Sequence, residues 1–371
     1  MKKYFFVLLL LFVSTTGWAA NAEKEWTMLV FLNGHNNLDS FGQVNVDQMA
    51  SASNPNVNII VEWASLQYGK TRRVEVSRGK EKVVQELDAK LDMGDYKNLI
   101  EFIQWGVKNY PAKHYFIDIW NHGDGWKFRE MDAFRGGQVL PRNISYDDLS
   151  GHSIDTPQMG LAMQAAAKAM GHPVDIYGSD ACLMQMIEVD YQMKGYVNYV
   201  VGSEETIPGE GWRYDALLNK WGSTPVEVAT SAVSTYFSSG YQDATMSAVD
   251  MSQIDGVVLS LKDLQSQLLT AKGVQGAVNA SLGYTLTDYI DLGDFLINMK
   301  KADPTVNVAG VQDAMSKFIF ANQASGIKAA SQGLSIWLPT SDSGDMPRYN
   351  VLNFDQLTHW GQMLQKMWSS R

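Results

Sequence analysis

The sequence predicts an α/β protein built on a mainly parallel central sheet, and three observations carry that class. Short apolar runs alternate with amphipathic segments through roughly the first 250 residues. The runs themselves, such as T-M-L-V-F-L at 27–32 and H-Y-F-I-D-I-W at 114–120, are almost continuous in apolar residues, as strands covered on both faces are. Finally, the run at 114–120, an alanine-rich helix at 156–170 and the run that begins at Val174 make a strand–crossover–strand unit. Such a connection places the two strands parallel.

The elements follow in order. Met1 to about Ala20 reads as a secretory signal peptide: Lys2 and Lys3 charge its start, and Tyr4–Val13 is apolar but too short to span a bilayer. Gly17 and Ala19 are the small residues of a cleavage site after Ala19, with Ala20 as the alternative. Trp26–Leu32 is a strand, Asn33–Asn37 a turn and Leu38–Ala52 a helix. Val57–Ala64 is a second strand and Arg72–Val76 a third, at an edge. Asp95–Tyr110 is a helix stopped by Pro111.

His114–Trp120 then runs into Asn121-His122-Gly123-Asp124-Gly125-Trp126, and Lys127–Ile154 follows with little periodicity. Thr156–Met170 is a helix with Asp155 or Thr156 as its cap. The strand from Val174 ends at Gly178-Ser179, and a helix is expected over Leu183–Met193, with Cys182 at the corner. Tyr196–Gly202 is the next strand, and its loop is Ser203–Trp212. Helices are expected at Tyr214–Trp221, Pro225–Ser239, Ile254–Leu269, Asp288–Lys300 and Val308–Ala324, a strand at Gly333–Pro339 and a last helix at Phe354–Trp368. The expected domains are a signal peptide (1–20), a core (21–250) and a helical or mixed subdomain packed on it (251–371).

Composition narrows the function. With the signal peptide removed, the 30 basic side chains become 28 against 40 acidic ones, a net charge of −12. That balance argues against nucleic acid or an anionic membrane as partner. Cys182 is the single cysteine in 371 residues. Exported proteins usually pair their cysteines, so an unpaired one points to a reactive thiol, although a lone cysteine is most often a small buried hydrophobe. A helix N-terminus after Cys182 is expected to favour its thiolate.

His122 and Cys182 each lie just past the carboxyl end of a strand, where open α/β sheets bind ligands. A cysteine peptidase needs a thiolate, a base that later protonates the leaving amine, and oxyanion donors. Cys182 and His122 supply the first two, and the backbone N–H groups of Gly123 and Cys182 the third. His35 shares that edge, His114 starts a strand at the wrong end, and His152, His172 and His359 have loop or helix contexts.

Asn121-His122-Gly123 after one strand, Asp180-Ala181-Cys182 after the next, the opening W-T-M-L-V-F-L…N-N-L-D and the Pro208–Trp212 loop together resemble the clostripain-like cysteine peptidases. The resemblance covers about Trp26 to Leu218 and is fainter onward. It implies a caspase-like three-layer sandwich with helices on both faces of the sheet, a Cys–His dyad, and cleavage after arginine or lysine.

Asp180 and Glu210 agree with that specificity, since an acidic pocket selects a cation at P1 through charge-assisted hydrogen bonds. Asp180 reads equally well as a helix cap and Glu210 as a solvated loop acid. The family usually has aspartate where Glu210 stands, which leaves the preference between arginine and lysine open. The resemblance also implies activation by internal cleavage in the 127–154 stretch, with Arg135 and Arg142 as candidate sites. No cofactor is required on this reading. Calcium is known in the family and is a possible, unassigned ion here; Asp147, Asp148 and Asp155 do not have the spacing of an EF-hand loop, and no zinc set exists.

The leading expectation is an exported cysteine endopeptidase, periplasmic or extracellular and monomeric, acting on proteins or peptides with a basic P1 residue. It is expected to need no membrane once the signal is removed. Two rivals are a catalytically silent module binding peptides or a partner in the same cleft, and an acyl transferase using the same dyad.

Overall fold

A computed structural model describes residues 23–369 except 53, 128 and 132–139, so the expected signal peptide and Arg135 lie outside the described residues. Nine strands form the main sheet: β1 (Lys24–Gly34), β2 (Val57–Ser65), β3 (Lys70–Ser77), β4 (Lys80–Leu87), β5 (Ala112–Trp120), β6 (Val174–Asp180), β7 (Val197–Gly202), β8 (Thr245–Asp250) and β9 (Ile319–Ala324). Their order is β9-β8-β7-β6-β5-β1-β2-β3-β4. The five central strands, β2, β1, β5, β6 and β7, are parallel, and an antiparallel pair flanks them on each side. The class is the expected one, a mostly parallel sheet inside a three-layer sandwich.

Strand alternation divides β1 between the two faces. Leu29 and Phe31 enter one apolar cluster with helices α2 (Tyr96–Asn109), α3 (Thr156–Met170), α4 (Ile187–Gln192) and α7 (Ile254–Leu268). Met28, Val30 and Leu32 enter the other, with α1 (Asp39–Ser51), α5 (Tyr214–Asn219) and α6 (Pro225–Tyr236). Both faces are covered, which is why β1 and β2 read as nearly continuous apolar runs. The chain after Asp250 packs into the first cluster, and β9 closes one edge of the sheet.

From β1 the chain winds outward through β2, whereas β5, β6 and β7 build outward on the other side. The boundary between β1 and β5 is therefore a switch point, the place beyond the strand ends where open α/β sheets bind ligands.

Several elements depart from expectation. The helix expected over Leu183–Met193 begins only at Ile187, because Leu183 takes a left-handed φ of 63° and Cys182–Met186 is irregular. The edge strand is β4, which the sequence reading omitted, and β3 lies inside it. Val308–Ala324 splits into a helix, Ala309–Phe318, followed by β9. The expected strand at Gly333–Pro339 shortens to Ser335–Trp337, which pairs with Tyr289–Asp291 in a separate ribbon. The last helix is two, Asn353–Thr358 and Trp360–Ser369, separated by His359 at φ 57°.

Candidate active site

Register brings the two candidate catalytic residues to one place. Trp120 of β5 lies beside Asp180 of β6, so His122 and Cys182 each stand two residues beyond a paired position. Asn121 N–H then donates to the Asp180 carbonyl at 3.2 Å, extending the contact past the strand ends. Gly123 lies against the cysteine loop: a Cβ built on it would be 2.6 Å from the Cys182 carbonyl oxygen and 3.1 Å from Ala181 Cβ. No larger residue fits there without displacing backbone.

Cys182 is partly buried and belongs to no disulfide. The Ile207 N–H donates to its sulfur at 3.3 Å, and the thiol faces the Ile207 carbonyl at 3.8 Å. The loop after β7 is stitched along the cysteine loop, with Leu183 N–H on the Glu205 carbonyl (3.2 Å) and Gln185 N–H on the Ser203 carbonyl (3.0 Å). Burial pushes the Cys182 thiol up to about 11; the Ile207 N–H opposes this, and Asp124, Asp180 and Glu205 add to it. The expected thiolate-favouring helix N-terminus is absent, since α4 starts five residues later.

His122 is partly exposed, with Nε2 2.7 Å from Asn37 Oδ1. Asn37 lies just beyond β1, on the opposite side of the switch point.

Asp180 is a buried carboxylate under the following loop. Its Oδ2 accepts from Trp212 N–H (2.9 Å) and Tyr214 O–H (3.0 Å), and Gly211, at φ 64°, lies directly on it. Its Oδ1 is buried without a hydrogen-bond partner among the described residues. Asp118, on β5, takes the Tyr214 O–H at 2.6 Å and the Asp180 N–H at 3.3 Å. Burial pushes Asp118 up to about 6 and Asp180 up to about 8, the latter also repelled by Asp118. At neutral pH this acid pair holds a proton, and among the described residues no cation is paired with it.

Residues 30–369 match the sequence model of the Clostripain family. This chain belongs to the clostripain family. It is 21% identical to Clostripain of Hathewaya histolytica, over 92% of this chain and 79% of that protein. Its fold resembles that of a secreted C11 cysteine protease from Bacteroides thetaiotaomicron, solved with an irreversible peptide inhibitor (TM-score 0.69, 18% identity, 92% of this chain and 99% of that one). It also resembles an inactive zymogen C11 protease from Parabacteroides distasonis (TM-score 0.69, 16% identity, 92% and 99%). The chain is a clostripain-family cysteine peptidase with a caspase-like fold.

Within this peptidase, His122, Gly123, Cys182 and Asp180 gather at one edge, as the sequence suggested. Asp180 is no helix cap, because its bonds go to Trp212 and Tyr214. Glu210 is exposed, and it is its carbonyl, not its carboxylate, that is held, by Asn45 Nδ2 at 3.0 Å. Arg142 ends a short strand, Leu140–Arg142, paired with Arg129–Met131. His114 bonds Asp175 at the far end of β5 (2.9 Å), and His35 is buried against Asp147 (2.9 Å).

Two of the acids considered for calcium, Asp147 and Asp155, are engaged within the chain. Asp147 accepts from His35 and from the N–H groups of Met93, Leu149 and Ser150, and Asp155 caps α3. No step below passes through calcium. Among the described residues no group of three or more His, Cys, Asp or Glu side chains could hold a metal ion, and no helix is long and apolar enough to cross a membrane.

Sequence reasoning missed Asn37, Asp118, Ile207 and Tyr214. Asp118 left a signal, a single acid inside the apolar run H-Y-F-I-D-I-W. Asn37 stood in the N-N-L-D motif and Ile207 in the Ser203–Trp212 loop, but their roles, like that of Tyr214, depend on partners distant in sequence.

Proposed function

We propose that this peptidase is an exported endopeptidase that cleaves after arginine or lysine, with Cys182 as nucleophile and His122 as proton carrier. The observation that carries the reading is the parallel register of β5 and β6, which sets the His122–Gly123 corner against the Cys182 backbone. Substrate enters by displacing the Ile207 segment from the thiol. His122 takes the thiol proton as sulfur attacks the scissile carbonyl, and the Gly123 and Cys182 N–H groups receive the oxyanion. The proton then passes to the leaving amine, and water hydrolyses the thioester.

The P1 cation is read by Asp180, backed by Asp118 and Tyr214. A buried acid pair with an unpartnered oxygen and no cation paired with it among the described residues is suited to a guanidinium or ammonium, whose arrival drives off the shared proton. Glu210 sits at the mouth, where its exposed carboxylate adds attraction more than contact.

The resting thiol is protonated and covered by Ile207, which suits a precursor awaiting activation. Self-cleavage in the 127–154 stretch is assigned to Arg135 in preference to Arg142. Arg142 is in a β-ladder, and Asn143 beyond it is buried, so the bond between them is poorly presented. The signal-like first 20 residues and a relative described as secreted support export.

Matched fluorogenic peptides with arginine, lysine or aspartate at P1 test the reading, together with intact-mass analysis of the purified chain. Turnover of the two basic peptides and a cut after Arg135 are expected. Equal turnover of all three peptides overturns the specificity, and full activity of an uncut chain overturns the activation step.

A further inference from the structure

We propose that Asn37 is the positioning residue for His122, fixing its tautomer and ring orientation for proton exchange with Cys182. The inference rests on the peptidase reading above and adds a residue to it. Asn37 Oδ1 lies 2.7 Å from His122 Nε2. An amide oxygen only accepts, so Nε2 is the donor in this bond and carries a proton. A base that must accept a thiol proton needs that tautomer held before substrate arrives.

The surroundings of Asn37 are built for this. Asn33 Oδ1 accepts from His35 N–H (2.9 Å), and its amide reaches Ser145 Oγ (3.2 Å) and the Tyr146 carbonyl (3.0 Å). Asn36 Oδ1 accepts from Leu38 N–H (2.9 Å), and its amide donates to the same Tyr146 carbonyl (2.8 Å). The His35–Asp147 contact ties the loop down from below. Across the switch point Asn121, the neighbour of His122, donates its amide to the Asn33 carbonyl at 2.6 Å. The loop bearing Asn37 and the strand end bearing His122 are thereby fastened to each other. Asn37 itself is exposed.

The amide is also the appropriate chemistry. The thiol already lies near Asp124, Asp180 and Glu205, which oppose a thiolate. A carboxylate at position 37 would stabilise the imidazolium and raise the pH at which His122 becomes a base. An amide orients the ring without adding charge.

The test uses the full chain with Asn37→Ala and Asn37→Asp, each checked for an unchanged melting temperature. Two readouts are taken: kcat and KM on an arginine-P1 peptide across pH, and the pH dependence of iodoacetamide capture, which intact mass assigns to the single cysteine. Asn37→Ala should lower kcat by roughly tenfold or more with KM little changed, and slow capture near neutral pH. Asn37→Asp, which keeps an acceptor, should restore kcat at high pH and move the acidic limb upward by roughly half a unit or more.

If Asn37→Ala matches wild type in kcat and capture, or if Ala and Asp behave alike, the proposal falls. If the wild type turns over no peptide while capture still depends on position 37, the peptidase reading fails and the positioning role stands.

Discussion

Two histidines bracket strand β5, and their difference bears on the proposed catalytic site. His114, at the amino end, bonds a carboxylate, Asp175, at 2.9 Å, and on pairing alone it looks the better base. His122, beyond the carboxyl end, meets an amide, Asn37, at 2.7 Å. Yet the β5–β6 register gives His122 a cysteine corner for a neighbour, whereas the Asp175 carboxylate serves to tie β6 to β5: it also accepts the Tyr115 N–H at 2.9 Å. Position on the sheet, more than the quality of a single partner, separates a structural histidine from a functional one.

The largest expected effect that sharpens this contrast concerns specificity at the carboxyl edge. Asp180→Asn should lower kcat/KM for arginine and lysine peptides by roughly a hundredfold or more, since a desolvated charge-assisted contact is lost. An aspartate-P1 peptide, equally poor before and after, is the control; equal losses on all peptides would mean Asp180 acts on folding instead.

A medium effect follows from the same acid pair. Burial raises Asp118 to about 6 and Asp180 to about 8. Groups whose folded pKa is raised contribute stability that is complete below about pH 4, and that contribution is lost as pH rises through those two values. The melting temperature should therefore fall between pH 5.5 and about pH 9. Glu62 and Glu188, each pushed up to about 7 by burial, add to that fall. Asp118→Asn removes one acid and relieves the other, so its profile should be flatter than wild type in differential scanning fluorimetry. Parallel profiles would contradict the assignment.

The smallest effect is at the amino edge. His114→Ala should cost about 1 kcal/mol of stability through the lost bond to Asp175, read by urea unfolding.

Much of this was legible in the sequence, for identifiable reasons. Helix α3 is bounded as read because Asp155 and Gln158 form a capping box at one end and Gly171 takes a left-handed φ of 78° at the other. The parallel pairing of β5 and β6 followed from the crossover, and with it the meeting of His122 and Cys182. The cysteine corner was misread because Met186, Ile187, Val189 and Tyr191 repeat at helical spacing, while the turn at Leu183 carries no glycine to announce it. Strand β4, K-E-K-V-V-Q-E-L, is largely exposed and polar, as an edge should be, and so lacked the apolar signature used elsewhere. The parts of the site that sequence did not reveal are contacts across long separations: Asn37 to His122 spans 85 residues and Tyr214 to Asp118 spans 96.

The central claim is that chemistry resides where β5 and β6 end, and hydrolysis of an arginine-P1 peptide by His122→Ala, His114→Ala and Cys182→Ala, measured side by side, tests it most directly. The account predicts that His122→Ala and Cys182→Ala lose turnover by roughly a thousandfold or more while His114→Ala stays within about threefold of wild type. Retained turnover in His122→Ala or Cys182→Ala, or its collapse in a folded His114→Ala, would contradict it.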